Sequence, residues 1–138
     1  MFHLSIVTPE KVFYEAEVKS LILPGSEGYL GVLTDHAPLI TTLKPGKLQF
    51  RDGEDKLHVL AVSNGFLEVS RNKANLLVEA AEFAEDIDLE RAKAAHQKAK
   101  DALASAGEEK LLEIEVKALQ MALERAANRL KIYRDTHK

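Results

Sequence analysis

All four prolines (Pro9, Pro24, Pro38, Pro45) and six of the seven glycines fall before residue 66, and Gly107 stands alone in the second half. Gly and Pro punctuate turns between short strands, whereas their absence permits long uninterrupted helices. The first ~85 residues therefore read as all-β and the remainder as all-α, an α+β chain with its strands first.

Within the β part, short β-favouring runs recur between turn signals. They are His3–Thr8, Glu17–Leu23 closed by Pro24-Gly25, Tyr29–Leu33, Lys47–Arg51, Lys56–Val62, Phe66–Ser70 and Ala74–Glu79. Asp52-Gly53-Glu54-Asp55 and Arg71-Asn72-Lys73 are the turns of two hairpins. Seven or more strands at this spacing predict a sandwich or flattened barrel.

The α part opens at Glu85-Asp86-Ile87-Asp88, where Asp86 or Asp88 can cap a helix and Glu90 suits its positive first turn. Ala92, Ala95, Ala99, Ala102 and Ala106 recur at helical spacing and let a second helix approach closely. Ser105-Ala106-Gly107 reads as the end of this helix, with Gly107 in a left-handed terminal position. A second helix is expected from about Glu108 to Tyr133, with Leu112, Leu119, Ala122, Ala126, Leu130 and Tyr133 on one face. Leu111, Ile114, Val116, Met121, Leu123 and Ile132 widen its apolar surface beyond what one Ala-lined neighbour covers. The expected boundaries are a β-domain over 1–85 and an antiparallel helical hairpin over 86–138.

Composition narrows the function classes. Cysteine is absent, which removes disulfides and thiolate chemistry. No apolar run approaches the ~18 residues of a membrane span. Met1–Ser5 has no basic segment followed by an apolar one, so no secretion signal is expected. Residues 1–86 carry 8 Lys+Arg against 13 Asp+Glu, and residues 87–138 carry 11 against 9. The terminal cluster Arg125, Arg129, Lys131, Arg134 and Lys138 suits an acidic protein surface or a phosphate, or is a solvated face. The five histidines are scattered without metal-ligand spacing, so no metal site is expected. No phosphate loop is present, and no catalytic residue is assigned.

Three segments are more specific. Gly25-Ser26-Glu27-Gly28-Tyr29-Leu30-Gly31-Val32 followed by His36-Ala37-Pro38-Leu39, then Ser63-Asn64-Gly65-Phe66-Leu67-Glu68-Val69, then Ile87-Asp88-Leu89-Glu90-Arg91-Ala92, resemble stretches of the epsilon subunits of bacterial F-type ATP synthases. Their order matches, and the resemblance spans essentially the whole chain. It implies a β-sandwich of about ten strands and a two-helix C-terminal domain. It also implies binding of the sandwich to the gamma subunit and the c ring. The hairpin is implied either to fold against the sandwich or to extend along gamma into the catalytic head, where it blocks ATP hydrolysis. Its basic end would meet an acidic loop of the beta subunit, and the chain would sit peripherally on the cytoplasmic face of the membrane, reaching it only through the complex.

The same resemblance implies two sites. Glu27, Tyr29 and His36 fall in the loop that meets the c ring, with Tyr29 where relatives often carry an acid. Ile87, Asp88, Arg91 and Ala92 match an ATP-binding motif of some relatives, and Arg125 and Arg129 match their phosphate-binding arginines. Glu82 stands at the position facing the adenine, and Lys98 replaces an Arg, exchanging a bidentate fork for a point charge. ATP would then be a regulatory ligand, with no cofactor required. From the residues alone, Asp88 is equally a helix cap and the arginines are equally surface ion-pair partners. Two readings from other classes remain: a stand-alone sandwich-and-hairpin adaptor, and a nucleic-acid-binding protein. The second is disfavoured by the sequence pI near 6.0 and the lack of interleaved basic and aromatic residues.

Overall fold

A computed structural model describes residues 1–109 and 112–136. Its described residues form nine strands, one 3-10 turn and two α-helices. The strands are β1 (Phe2–Val7), β2 (Val12–Gly25), β3 (Gly28–Val32), β4 (Leu39–Leu43), β5 (Gly46–Asp52), β6 (Leu57–Val62), β7 (Gly65–Ser70), β8 (Lys73–Val78) and β9 (Ala81–Phe83). The helices are α1 (Leu89–Glu109) and α2 (Glu113–Thr136). The chain divides into two compact units, Met1–Phe83 and Ala84–Lys138.

In the first unit the strand order is β1-β8-β7-β4-β2-β5-β6-β9, with β3 on β2 and a further β1–β2 pairing that closes the path. The 14-residue β2 makes this possible. Its first half pairs with β1 and its second half pairs with β5 and β3, so one strand passes from one layer to the other. The core follows from period-two alternation. In β1, Phe2, Leu4 and Ile6 point inward, and in β8 Ala74, Leu76 and Val78 do the same. They meet Leu21, Leu48, Phe50, Leu60 and Leu67 in one cluster confined to residues 2–78. Gly65 is required for the close approach of β7 to β8: a Cβ there would lie 2.1 Å from the Leu77 carbonyl oxygen.

Nine strands are described, in line with the roughly ten expected, and they differ from the sequence expectation in two places. Pro24-Gly25 does not close β2, because Pro24 lacks only the N–H and its carbonyl still accepts from the Lys44 amide at 3.0 Å. β4 and β9 had no counterpart in the expected runs.

Two hairpin turns are built differently. The β7–β8 turn has both central residues in the left-handed region, Arg71 at φ 50° and Asn72 at φ 60°, the geometry that matches the twist of a two-residue hairpin. The β5–β6 turn is stapled by Asp52. Its Oδ1 accepts from the Glu54 and Lys56 amides at 2.9 and 3.0 Å, and its Oδ2 accepts from His58 Nε2 at 2.8 Å. His58 stacks on Phe50 with ring centroids 4.7 Å apart, and Tyr14 packs on the same Phe50.

These donors set the acidity of Asp52. The His58 bond first, then the Lys56 and Glu54 amides, outweigh the burial that opposes them and lower its pKa to about 2. Burial, followed by the Asp52 charge, pushes the Tyr14 hydroxyl the other way. A lowered carboxylate pKa adds stability that is present above the ordinary carboxylate value and is lost as pH falls through the folded one. Denaturant titrations at stepped pH should therefore show wild-type stability falling between about pH 4 and pH 2. Asp52→Asn should flatten this component, and an unchanged acid profile would contradict the staple.

In the second unit, the Asp88 carbonyl accepts the Ala92 amide at 3.0 Å and its Oδ1 accepts the Arg91 amide at 3.1 Å, so Asp88 is the N-cap of α1. The helix continues through Gly107 to Glu109 instead of ending there. Glycine in a final turn costs only about 1 kcal/mol, and it ends a helix only where the backbone turns left-handed. α2 starts later than expected, at Glu113, with Leu112 accepting the amides of Glu115 and Val116. Acids in its first turn and Arg134 in its last suit the helix dipole.

The seam of α1 also differs in detail. Ala92 and Ala99 are buried and His96 is half-buried, but Ala95 is exposed. The inward stripe thus steps 92, 96, 99 and 103, and Ala106 lies where side chains are not described. On α2, Ala126, Leu130 and Ile132 are buried and Leu119, Ala122 and Tyr133 half-buried, while Leu112 precedes the helix and is exposed.

Candidate functional site

The hairpin unit carries most of the predicted nucleotide-site residues. Arg91 and Lys98 lie on α1, and Arg125 and Arg129 on α2. Each stands one residue before a buried seam residue: Ala92, Ala99, Ala126 and Leu130 respectively. A right-handed helix turns 100° per residue, so the preceding residue falls to one side of the seam. Reversing the direction of one helix also reverses its sense of rotation as seen from a common end. In an antiparallel pair, those preceding residues therefore share one flank. The short connection and the contact of the 3-10 turn Ala84–Asp86 with α2 place the start of α1 beside the second half of α2. Arg91 thus falls near the level of Arg129, and Lys98 near that of Arg125.

The result is a cationic flank on which a polyanion can lie. Arg91 and Lys98 are about 10 Å apart along α1, and Arg125 and Arg129 about 6 Å apart along α2. Arg91 and Lys98 are exposed, and Arg125 and Arg129 are half-buried. The uncharged members of the set have other roles. Ile87 and Ala92 are buried in packing, and Asp88 Oδ1 is engaged as the helix cap. Glu82 belongs to the other compact unit, on β9 in register with Ala61 of β6.

The predicted ring-contact residues divide between two loops. Glu27 is exposed in the two-residue turn joining β2 to β3, which Gly28 completes at φ 132°. Tyr29 is the second residue of β3, and its hydroxyl accepts the Lys47 amide at 3.1 Å while the ring stays exposed. His36 lies beyond the other end of β3, in the connection to β4, where its Nδ1 donates to the Ala37 carbonyl at 2.6 Å. Before it, Asp35 is in the left-handed region at φ 62°.

Sequence reading missed one further surface. Phe66 pairs with Leu77 across β7 and β8, and Ile40 lies beside them on β4. All three face solvent, at 57%, 58% and 76% exposure. Phe66 and Leu77 border a groove of about 740 Å³ that Val7, Pro9, Thr42, Lys44 and Glu79 also line, and Ile40, opposite Glu68, lies outside it. Its signal was available: in Phe66-Leu67-Glu68-Val69 the alternation places Phe66 on the Glu68 face. Among the described residues no group of three or more His, Asp or Glu is arranged to hold a metal, and no helix is long and apolar enough to cross a membrane.

Residues 1–84 match the beta-sandwich domain of the ATP synthase delta/epsilon chain, and residues 85–134 match its long alpha-helix domain. The class is therefore a sandwich-plus-helix subunit of that type. The ATP synthase epsilon chain of Desulforamulus reducens is 46% identical over 128 residues, covering 93% of each chain. That of Latilactobacillus sakei is 37% identical over 131 residues, covering 94% of this chain and 90% of the relative. The chain belongs to the ATP synthase epsilon chain family.

Solved structures share the fold at lower identity. A chain of the Euglena gracilis mitochondrial ATP synthase, OSCP/F1/c-ring, superposes with a TM-score of 0.74 at 23% identity, covering 91% of this chain and 76% of that one. A chain of the Tetrahymena thermophila mitochondrial ATP synthase central stalk/c-ring gives 0.59 at 13%, covering 99% and 96%.

Proposed function

We propose that this epsilon subunit couples the rotor through its sandwich and restrains ATP hydrolysis through its hairpin, with ATP as the ligand that holds the hairpin folded. The observation that carries the reading is the shared flank of Arg91, Lys98, Arg125 and Arg129. Such a flank exists only while the helices lie side by side, so an anion bound there stabilises the folded hairpin. The buried residues of α1 are Ala92 and Ala99, whose small side chains bury little area, while α2 buries Ala126 with the larger Leu130 and Ile132. A helix pair in which one partner buries only alanines separates at less cost than one with large side chains on both sides, which suits a switch. Once extended, α2 presents its basic end, Arg125, Arg129, Lys131 and Arg134, to an acidic loop of the beta subunit.

On the sandwich, the exposed face of Ile40, Phe66 and Leu77 is the docking surface for gamma, and the loops of Glu27, Tyr29 and His36 meet the c ring. The chain then sits peripherally on the cytoplasmic face of the membrane. Phe66→Asp tests the docking face. With the side chain already exposed, the variant should keep its melting temperature within a few degrees. Its affinity for gamma in a pull-down or interferometry assay should fall roughly 30-fold or more, as for a buried interface aromatic. Unchanged affinity would remove this face from the reading.

A further inference from the structure

Asn72 has three partners, all distant in sequence. Its Oδ1 accepts the Asp35 amide at 2.9 Å, and its Nδ2 donates to the Met1 carbonyl at 2.9 Å. Its own carbonyl accepts the His3 amide at 3.1 Å. The β7–β8 turn thus reaches the start of β1 with one end of a side-chain amide and the β3–β4 connection with the other. That connection is otherwise lightly held: Leu33, Thr34, Asp35, Ala37 and Pro38 are exposed, and His36 bonds back to Leu33 and forward to Ala37. The left-handed φ of Asp35 also needs support, because a non-glycine residue there is disfavoured unless its surroundings hold it.

We infer that Asn72 is a positioning residue for the partner-binding loop, fixing Asp35 and hence His36 in the geometry that meets the membrane ring. This inference rests on the proposed contact of His36 with the c ring. A loop that occupies its competent geometry for only part of the time binds with an affinity reduced by that fraction. An exposed neutral hydrogen bond changes the equilibrium between competent and incompetent geometries about fivefold, which is the upper limit of the change in the competent fraction. Asn72→Gly keeps the left-handed turn and removes both side-chain bonds. Asn72→Asp keeps an acceptor for the Asp35 amide and removes the donor to Met1.

Three full-length variants separate the outcomes: Asn72→Gly, Asn72→Asp and His36→Ala. Two quantities are read: hydrogen exchange at the Asp35 amide, and affinity for the c ring in complex with gamma. The expected result is that Asn72→Gly loses amide protection and binds more weakly, by up to about fivefold, whereas Asn72→Asp retains both. If His36→Ala weakens binding and Asn72→Gly does not, the positioning role is overturned and the ring contact stands. If His36→Ala and Asn72→Gly both bind like wild type, the ring contact itself fails and takes the inference with it. Equal losses in Asn72→Gly and Asn72→Asp, tracking a common fall in melting temperature, would make Asn72 a structural residue only.

Discussion

Replacing Arg125 or Arg129 with Ala should weaken the proposed ATP binding by the isolated subunit roughly 10- to 100-fold. In the proposed site each arginine would contribute a charge-assisted hydrogen bond, worth about 1.5–3 kcal/mol when the acceptor is a phosphate. Lys at either position rescues only part of the loss, since it keeps the charge but not the bidentate fork. Lys98→Arg should move the other way and tighten binding by a smaller factor. The consequence for conformation follows by linkage. ATP at ten times its dissociation constant favours the folded hairpin by RT ln 11, about 1.4 kcal/mol, which is close to tenfold. The Ala variants forfeit that bias, so the extended form is more populated at a given ATP concentration. Calorimetry on the isolated chain is the measurement. No heat from the wild type at millimolar ATP would reduce the flank to a helix cap and surface ion pairs.

A second large effect is expected from deleting residues 86–138. The sandwich core is confined to residues 2–78, and Phe83 is anchored within the same unit by rings of Phe13 and Tyr14 at 5.4 and 6.0 Å. The remaining 1–85 fragment should therefore fold alone, melt cooperatively and bind gamma with affinity within a few-fold of the whole chain. Far-UV circular dichroism should lose its helical component and keep its β component. An unfolded fragment, or one that no longer binds gamma, would mean that the hairpin is part of the sandwich's stability.

The sequence carried the division into β and α parts because glycine and proline act locally, and their segregation before Gly107 needed no tertiary knowledge. Most strands were legible for the same reason: β1, β7 and β8 alternate strictly, and their turns are marked. β4 was not, because Leu39–Leu43 lies between Pro38 and Pro45 and its alternation includes two threonines that suit a connection as well as a strand. β9 is three residues long and exists through its register with Leu60–Val62. In α1, helical spacing alone could not decide between Ala95 and His96 for the seam, since either follows Ala92 at an allowed step.

The candidate sites were legible to different depths. The four cations could be named from spacing and resemblance, but their common flank required knowing which neighbours are buried and that the helices run antiparallel. Asp52–His58 and Asn72–Asp35 were invisible in sequence because strand register creates them. Neither residue stands in a motif, and the second pair is 37 positions apart.

The proposed role of the C-terminal helices is to restrain hydrolysis while the sandwich couples the rotor. It is tested most directly by reconstituting an epsilon-depleted ATP synthase with either the whole chain or residues 1–85 and measuring ATP hydrolysis at low and high ATP. Both chains should restore coupling, and only the whole chain should suppress hydrolysis, more strongly at low ATP than at high. Equal hydrolysis with the two chains at every ATP concentration would contradict it.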